Sequence, residues 1–507
     1  MPYPDLEIVE PDRARRRRAL TRRQALVSGG VATALGLLGG FRAARGAFSA
    51  TTAPLTSTGS EAFGIIPSEQ ATGEVRAAAL VARPAEVDLG GRVVRTWVYG
   101  DAVPGPVLRG RVGDTLAVLV DNQLPEDTTV HWHGLAVPNG MDGVPGLTQT
   151  SIAPGRHLTY RFRLPHPGTY WYHPHVGVQA DRGLYGALIV DDPAEPGRYN
   201  LELLVVLDDW LDGTGRGPDD VMRDMQGGMG AMPMPSGPRS AVLGSEGGDV
   251  SYPHYLLNGR LPSAPVTFRA RPGQRARIRI VNAGADTAFR VALGGHRLTV
   301  THSDGFPVLP VTVDTLVVAM GERYDLDVRL GDGAFPLVAA AEGKDGQARA
   351  IVRTGSGPAP EAAQLPGELD GQLLRLQHLR ATPEVLLPWR APERSHDLVF
   401  EGDMMGSGWT INGHSYDPAR ALPMRHGEVV RLRFVNLSSM FHPVHVHGHT
   451  FQVRLDGEAG PRKDTVVVVP LQTVVADLVA DNPGRWLAHC HNLYHSMSGM
   501  MALLAYR

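Results

Sequence analysis

A single cysteine, Cys490, occurs in 507 residues. No disulfide can form within the chain, so the fold must hold by its apolar core, and the one thiol is free for a metal. Charge of one sign is also lacking. The formal net charge is -3, which leaves no basic field for nucleic acid. No apolar run is long enough to form a stable membrane span. Glycine and proline are plentiful, at 60 and 40 residues. They mark many turns between short strands and point to an all-β chain, whose length suggests roughly three domains.

The near-neutral balance hides an uneven distribution. Residues 1–50 hold nine arginines and four acidic residues, so the remainder carries a net -8 and is expected to be acidic and soluble. The arginine run of 13–23 ends in Thr21-Arg22-Arg23. A short apolar stretch follows from Val27 to about Phe41, and then small residues to Ala50. This order is that of an export signal, and the twin Arg22-Arg23 resembles the twin-arginine signal. The expected destination is the periplasm, the cell envelope or the exterior. That route carries folded proteins, so metal could be loaded before export.

A repeat organises the rest. Gly113, Gly273 and Gly427 each stand nine residues before an asparagine, Asn122, Asn282 and Asn436. Alternating apolar residues run between them, as a glycine turn and a strand of period 2 require. Nine residues beyond each asparagine come His131, Val291 and His445. Eleven beyond come His133, Leu293 and His447, and twelve beyond comes glycine each time. The chain therefore reads as three copies of one β-sandwich, over 70–195, 200–355 and 385–507. Copies one and three keep a His-x-His pair. Copy two has lost it and is expected to act as a spacer. Asp191 to Gly197 and residues 353–385 read as linkers.

A second motif repeats as well. Gly168 precedes His173 by five residues, and Gly484 precedes His489 by five. The alignment sets Pro174 opposite Cys490, Gln179 opposite His495 and Leu184 opposite Met500. On a strand, residues i and i+2 share a face and i+1 points away. His489 and His491 therefore project together, with Cys490 on the other side. One strand joins two metal sites. The Cys490 thiolate, the His495 imidazole and the Met500 thioether form a soft set that, with one more histidine, for which His442 to His447 holds candidates, matches the site that selects copper for electron transfer.

Four histidine clusters in this order and spacing resemble the multicopper oxidases, from about residue 70 to the end. The resemblance implies three consecutive cupredoxin-like Greek-key sandwiches and four coppers. It gives His442, Cys490, His495 and axial Met500 to the type 1 ion, and His131 and His445 to type 2. His133, His173, His175, His447, His489 and His491 go to the type 3 pair. The implied reaction couples four one-electron oxidations of a donor to reduction of O₂ to water, with Cys490 receiving each electron. Asp142, eleven residues after His131, matches the family's acidic residue near the type 2 ion, a proton relay. Several bacterial relatives carry a second carboxylate where this chain has Ser496. One chain supplies every ligand, so a monomer suffices.

For the donor, Met222, Met225, Met229, Met232 and Met234 crowd into thirteen residues, and thioethers suit Cu(I). The segment resembles, in shorter form, the methionine-rich insert of bacterial cuprous oxidases. Met440 matches a substrate-copper ligand of that group, although Ser438 stands where its acidic partner is expected. Cu(I) oxidation in copper tolerance is the favoured expectation, with a laccase-like oxidation of phenols or aromatic amines as the alternative. A copper-free scaffold of the same fold is the third reading, although such proteins lose the ligands that this chain keeps.

Overall fold

Each glycine–strand–asparagine unit becomes the same piece of structure three times. Gly113, Gly273 and Gly427 take φ of +90°, +76° and +84°, a backbone region that costs residues with a Cβ about 1–2 kcal/mol. The strands that follow are Thr115–Asn122, Arg275–Asn282 and Val429–Asn436. Each pairs in parallel with an upstream strand and antiparallel with a downstream one. The asparagines that end them are fully buried. The Asn282 amide donates to Thr287 O and Val318 O and accepts from Gly284 N, at 2.8–2.9 Å. Asn122 and Asn436 make the same three bonds. Buried backbone groups at the strand exit need partners, and this side chain supplies all three, which is why it recurs.

This computed structural model describes residues 73–195, 199–226, 239–402 and 408–507. The expected export signal and Met229, Met232 and Met234 lie outside them. The regular structure of the described chain is mostly strand, in six sheets. Two four-stranded sheets enclose a core around Trp132, Tyr160 and Tyr170 in the first copy. A six- and a five-stranded sheet make each of the other two sandwiches. Among the described residues no helix is long and apolar enough to cross a membrane.

Two details concern the middle copy. In the middle copy the left-handed residue after the lost pair is Gly295, not Gly294, so the repeat slips by one residue once no histidine must be aimed. The stretch expected as a second linker is a strap laid on the middle sandwich. Leu374 and Leu379 enter that sandwich's core, and Val308 bridges to Ala381 and Thr315 to Leu373. Apolar residues among the prolines and glycines make burial more favourable than a free tether.

Candidate metal centres

The two motif strands of each outer copy are hydrogen-bonded neighbours. His131 stands opposite His173 in the first copy, and His445 opposite His489 in the third. Cross-strand partners share a face, so each copy presents its imidazoles as one patch. The patches face each other. The His131 ring stacks on His447 with centroids 3.9 Å apart, and His133 stacks on His445 at 3.8 Å. His175 lies 5.2 Å from His489, and His491 lies 4.9 Å from His133 and 5.4 Å from His173. Residues from near both ends of the chain thus enclose one cluster.

Outer hydrogen bonds choose which nitrogen each ring turns inward. His131, His173, His445 and His489 place Nδ1 at 2.9–3.0 Å from the backbone oxygens of Asp142, Pro174, Asp464 and Cys490. Their Nε2 lone pairs are left to point inward. His133 is reversed, with Nε2 beside Thr465 Oγ1 and Asp464 Oδ1 and with Nδ1 free. The Nε2 atoms of His131, His173 and His445, Nδ1 of His133 and both nitrogens of His491 are buried without any protein partner. Such orphaned acceptors are costly unless something binds them. His447 Nε2 and His489 Nε2 are 3.0 Å apart, a separation two imidazoles take on one metal with bonds of roughly 2 Å.

Burial, reinforced by the neighbouring imidazoles, pushes the pKa of His133, His173, His175, His447 and His491 well below the usual histidine value, and that of His489 to about 3. The rings are neutral near pH 7, the form that ligates metal. Donor type, orphaned lone pairs and spacing therefore fit copper. Nitrogens of His131, His445 and His447, and likewise of His175, His447 and His489, lie within 4.8 Å of one another.

Behind the same strand lies the second centre. Cys490 Sγ is 3.5 Å from His442 Nδ1 and 3.7 Å from His495 Nδ1, and those nitrogens are 3.2 Å apart. Met500 is fully buried in the apolar cluster that holds Cys490. Its backbone oxygen accepts from Cys490 N, and its N–H donates to His495 O. Ser438 Oγ sits 2.7 Å from His442 Nε2. His495 Nε2 meets Asp249 Oδ2 at 2.6 Å. Burial opposes protonation of His495, but the Asp249 carboxylate and Cys490 outweigh it and hold its pKa at about 10.

Asp142 is fully buried behind the cluster, with Oδ2 2.9 Å from His447 Nδ1 and Oδ1 3.2 Å from His131 Nδ1. His449 is tied away from it, with its Nε2 2.8 Å from the Tyr506 hydroxyl. A cavity of about 30 Å³, lined by His173, His175, His489, His491, Ser496 and Met497 among others, is large enough for a water-sized molecule and reaches the imidazoles. Of the candidate methionines, Met222, Met225 and Met440 are among the described residues. Met440 is buried at 3% exposure beside His442. Met222 and Met225, on the helix Pro218–Gln226, pack half-buried on the middle core.

Sequence reasoning missed Asp249, Asp464 and Arg323. Asp464 had a legible signal, because Asp314-Thr315 followed by three apolar residues in copy two recurs as Asp464-Thr465 in copy three.

A sulfur-and-imidazole site backed onto an eight-histidine cluster, on cupredoxin-like sandwiches, defines a copper-dependent oxidase. Multicopper oxidase family models match residues 82–195, 202–357 and 389–507. The chain is 49% identical to multicopper oxidase MmcO of Mycobacterium tuberculosis, over 86% of this chain and 88% of that one. It is 29% identical to a copper resistance protein A homolog of Pseudomonas syringae pv. tomato, over 82% and 90%. The crystal structure of a multi-copper oxidase from Pseudomonas thermotolerans superposes with a TM-score of 0.67 at 29% identity, over 86% of this chain and all of that one. The chain belongs to the multicopper oxidase family, whose members hold four coppers.

Proposed function

We propose that this multicopper oxidase takes its electrons from Cu(I) and serves copper tolerance, after export by the twin-arginine route. One observation carries the choice of donor. The segment that opens on Met222 and Met225 and contains the other three clustered methionines ends on Asp249, whose carboxylate caps His495. The helix Pro218–Gln226 packs on the same apolar cluster as Tyr494 and Met497, which flank His495. A segment rich in thioethers, which suit Cu(I), is thereby held at the electron-accepting imidazole by its Asp249 end. One relative is named a copper resistance protein A homolog, and others are named laccases. Location rests on the Arg22-Arg23 pair and the apolar stretch after it.

Bound copper supplies one-electron redox chemistry at Cys490 and four-electron reduction of O₂ at the cluster. In this reading His442, Cys490, His495 and Met500 hold the type 1 ion, and the eight paired histidines hold the other three. The residues around them supply the rest. Asp249 sits with about 20% of its side chain exposed between solvent and His495, where it attracts a cation. Asp142 holds two imidazoles in line and in this reading relays protons to the cluster. Ser496 donates to Leu493 O at 2.9 Å and carries no charge into the cavity, so protons reach that side through water.

A phenol donor is the second reading. Asp249 is placed to accept a phenolic proton as an electron leaves toward His495, and the half-buried Met222 and Met225 serve as packing. Steady-state kinetics with Cu(I) and with a phenol, before and after deletion of 227–238, separate the two. The Cu(I) rate is expected to fall at least about tenfold, the scale of losing one group that binds donor, with the phenol rate kept. An unchanged Cu(I) rate would overturn the cuprous reading.

A further inference from the structure

Copy two supplies no histidine to the cluster, yet one of its loops touches it. Gly321 has φ +83°, and a Cβ there would stand 2.8 Å from His491 Cδ2 and 3.0 Å from His133 Cε1. Two residues on, the fully buried Arg323 grips the fully buried Asp464 of copy three with Nη1 to Oδ1 at 2.7 Å and Nη2 to Oδ2 at 2.6 Å. Arg323 is fixed from three other sides. Its Nε donates to Thr169 O, its Nη1 to Gly321 O, and its backbone N–H to Asp304 Oδ1. Asp304 is itself held by Lys463 and accepts from the backbone N–H of Thr465.

The grip ends on copper-site imidazoles. Thr465 Oγ1 donates to Asp464 Oδ1 at 2.9 Å and lies 3.1 Å from His133 Nε2. Asp464 Oδ1 is 3.2 Å from the same nitrogen, and Asp464 O is 3.0 Å from His445 Nδ1. Only these contacts keep the proton of His133 on Nε2. That leaves Nδ1 facing the cluster, the reverse of its stacked partner His445. A carboxylate buried beside the His133 and His445 rings without its guanidinium would be an uncompensated charge free to turn away.

We propose that Arg323 of the middle sandwich is a positioning residue for the trinuclear copper site. It orients Asp464 and Thr465, which set the tautomers of His133 and His445. The middle copy is then an assembly element of the site as well as a bridge between the outer two. This rests on the reading that the eight paired histidines hold three coppers.

The test compares purified holoenzymes of the wild type, Asp464→Asn, Arg323→Lys and Asp325→Asn. Asp325 is a control of the same kind, buried in the middle sandwich and paired with Arg277 and Arg279, but away from the eight imidazoles. Copper per chain, the blue absorption of the Cys490 site and the type 2 electron paramagnetic resonance signal are measured. Four coppers in the wild type uphold the ligand reading, and fewer sink that reading and this proposal together.

With four present, Asp464→Asn is expected to keep the blue band and to hold cluster copper 10- to 100-fold more weakly, as outer-shell changes do. Arg323→Lys keeps the charge but loses the two-pronged grip. It is expected to keep the copper and shift the type 2 signal. Should Asp464→Asn fail to fold, Arg323→Lys decides by that shift. Wild-type copper and signal in both variants, or the same loss in Asp325→Asn, would overturn the proposal.

Discussion

The first and third sandwiches put different chemistry at one equivalent place. In the third, His442 and His495 face each other at 3.2 Å beside Cys490. Three residues before the first His-x-His pair the first sandwich has Thr128, and its hydroxyl donates to Gln179 Oε1 at 2.8 Å. The contact between the strand and the following turn survives, with a neutral hydrogen bond where the other copy aims two lone pairs and a sulfur. In the middle sandwich the same position is Ala288, buried in an apolar cluster with Met320 and Phe441. One scaffold position has been filled by thiol and imidazole donors, by a hydrogen bond and by apolar packing. Each is a complete solution to burial, so the fold itself does not require copper there.

The sharpest way to break this comparison is at Cys490. Cys490→Ser is expected to abolish the blue absorption and to bring turnover with any external donor down to background. Copper analysis should still find the three cluster ions, because His489 and His491 point to the other face. Loss of all four would show that the two centres are not separable.

Smaller is the effect of Asp142→Asn. Asp142 of the first sandwich braces His447 of the third, as Asp464 of the third braces His133 of the first. The variant is expected to keep the blue band and to slow reoxidation of the reduced enzyme by O₂ about 10- to 100-fold, measured by rapid mixing. Unchanged reoxidation would remove the proton-delivery role.

Smallest is Thr128→Val in the copper-free equivalent. It deletes one buried hydrogen bond and leaves Gln179 Oε1 unpaired, which costs about 1–3 kcal/mol. A thermal melt should register this with copper content and activity intact. A loss of copper there would mean that the site is coupled to the cluster after all.

Much of the site was legible because the ligands come in short local motifs. The alternation of a strand fixes which of His489, Cys490 and His491 share a face, whatever surrounds them. The glycine–strand–asparagine repeat was legible for a similar reason, since a left-handed turn and a strand exit are local needs. Arg323 and Asp249 were not legible, and Asp464 was legible only as a repeated Asp-Thr position without its partners. Each matters through a contact with a residue 141 to 331 positions away, and nothing near them in sequence marks the partner. Met440 was legible only by its spacing, and its burial at 3% is a property that folding alone supplies.

Residue order by itself determined the metal-binding chemistry: which donors exist, how they are spaced, and that two sets lie back to back on one strand. Tertiary structure decided what those donors face. The stacking of His131 on His447 and His133 on His445, the choice of inward nitrogen, and the entry of the middle sandwich into the cluster all arise where the surfaces of three sandwiches meet. Hydrogen-bond direction and charge pairing are settled at that meeting, because both depend on partners that the chain brings together only by folding.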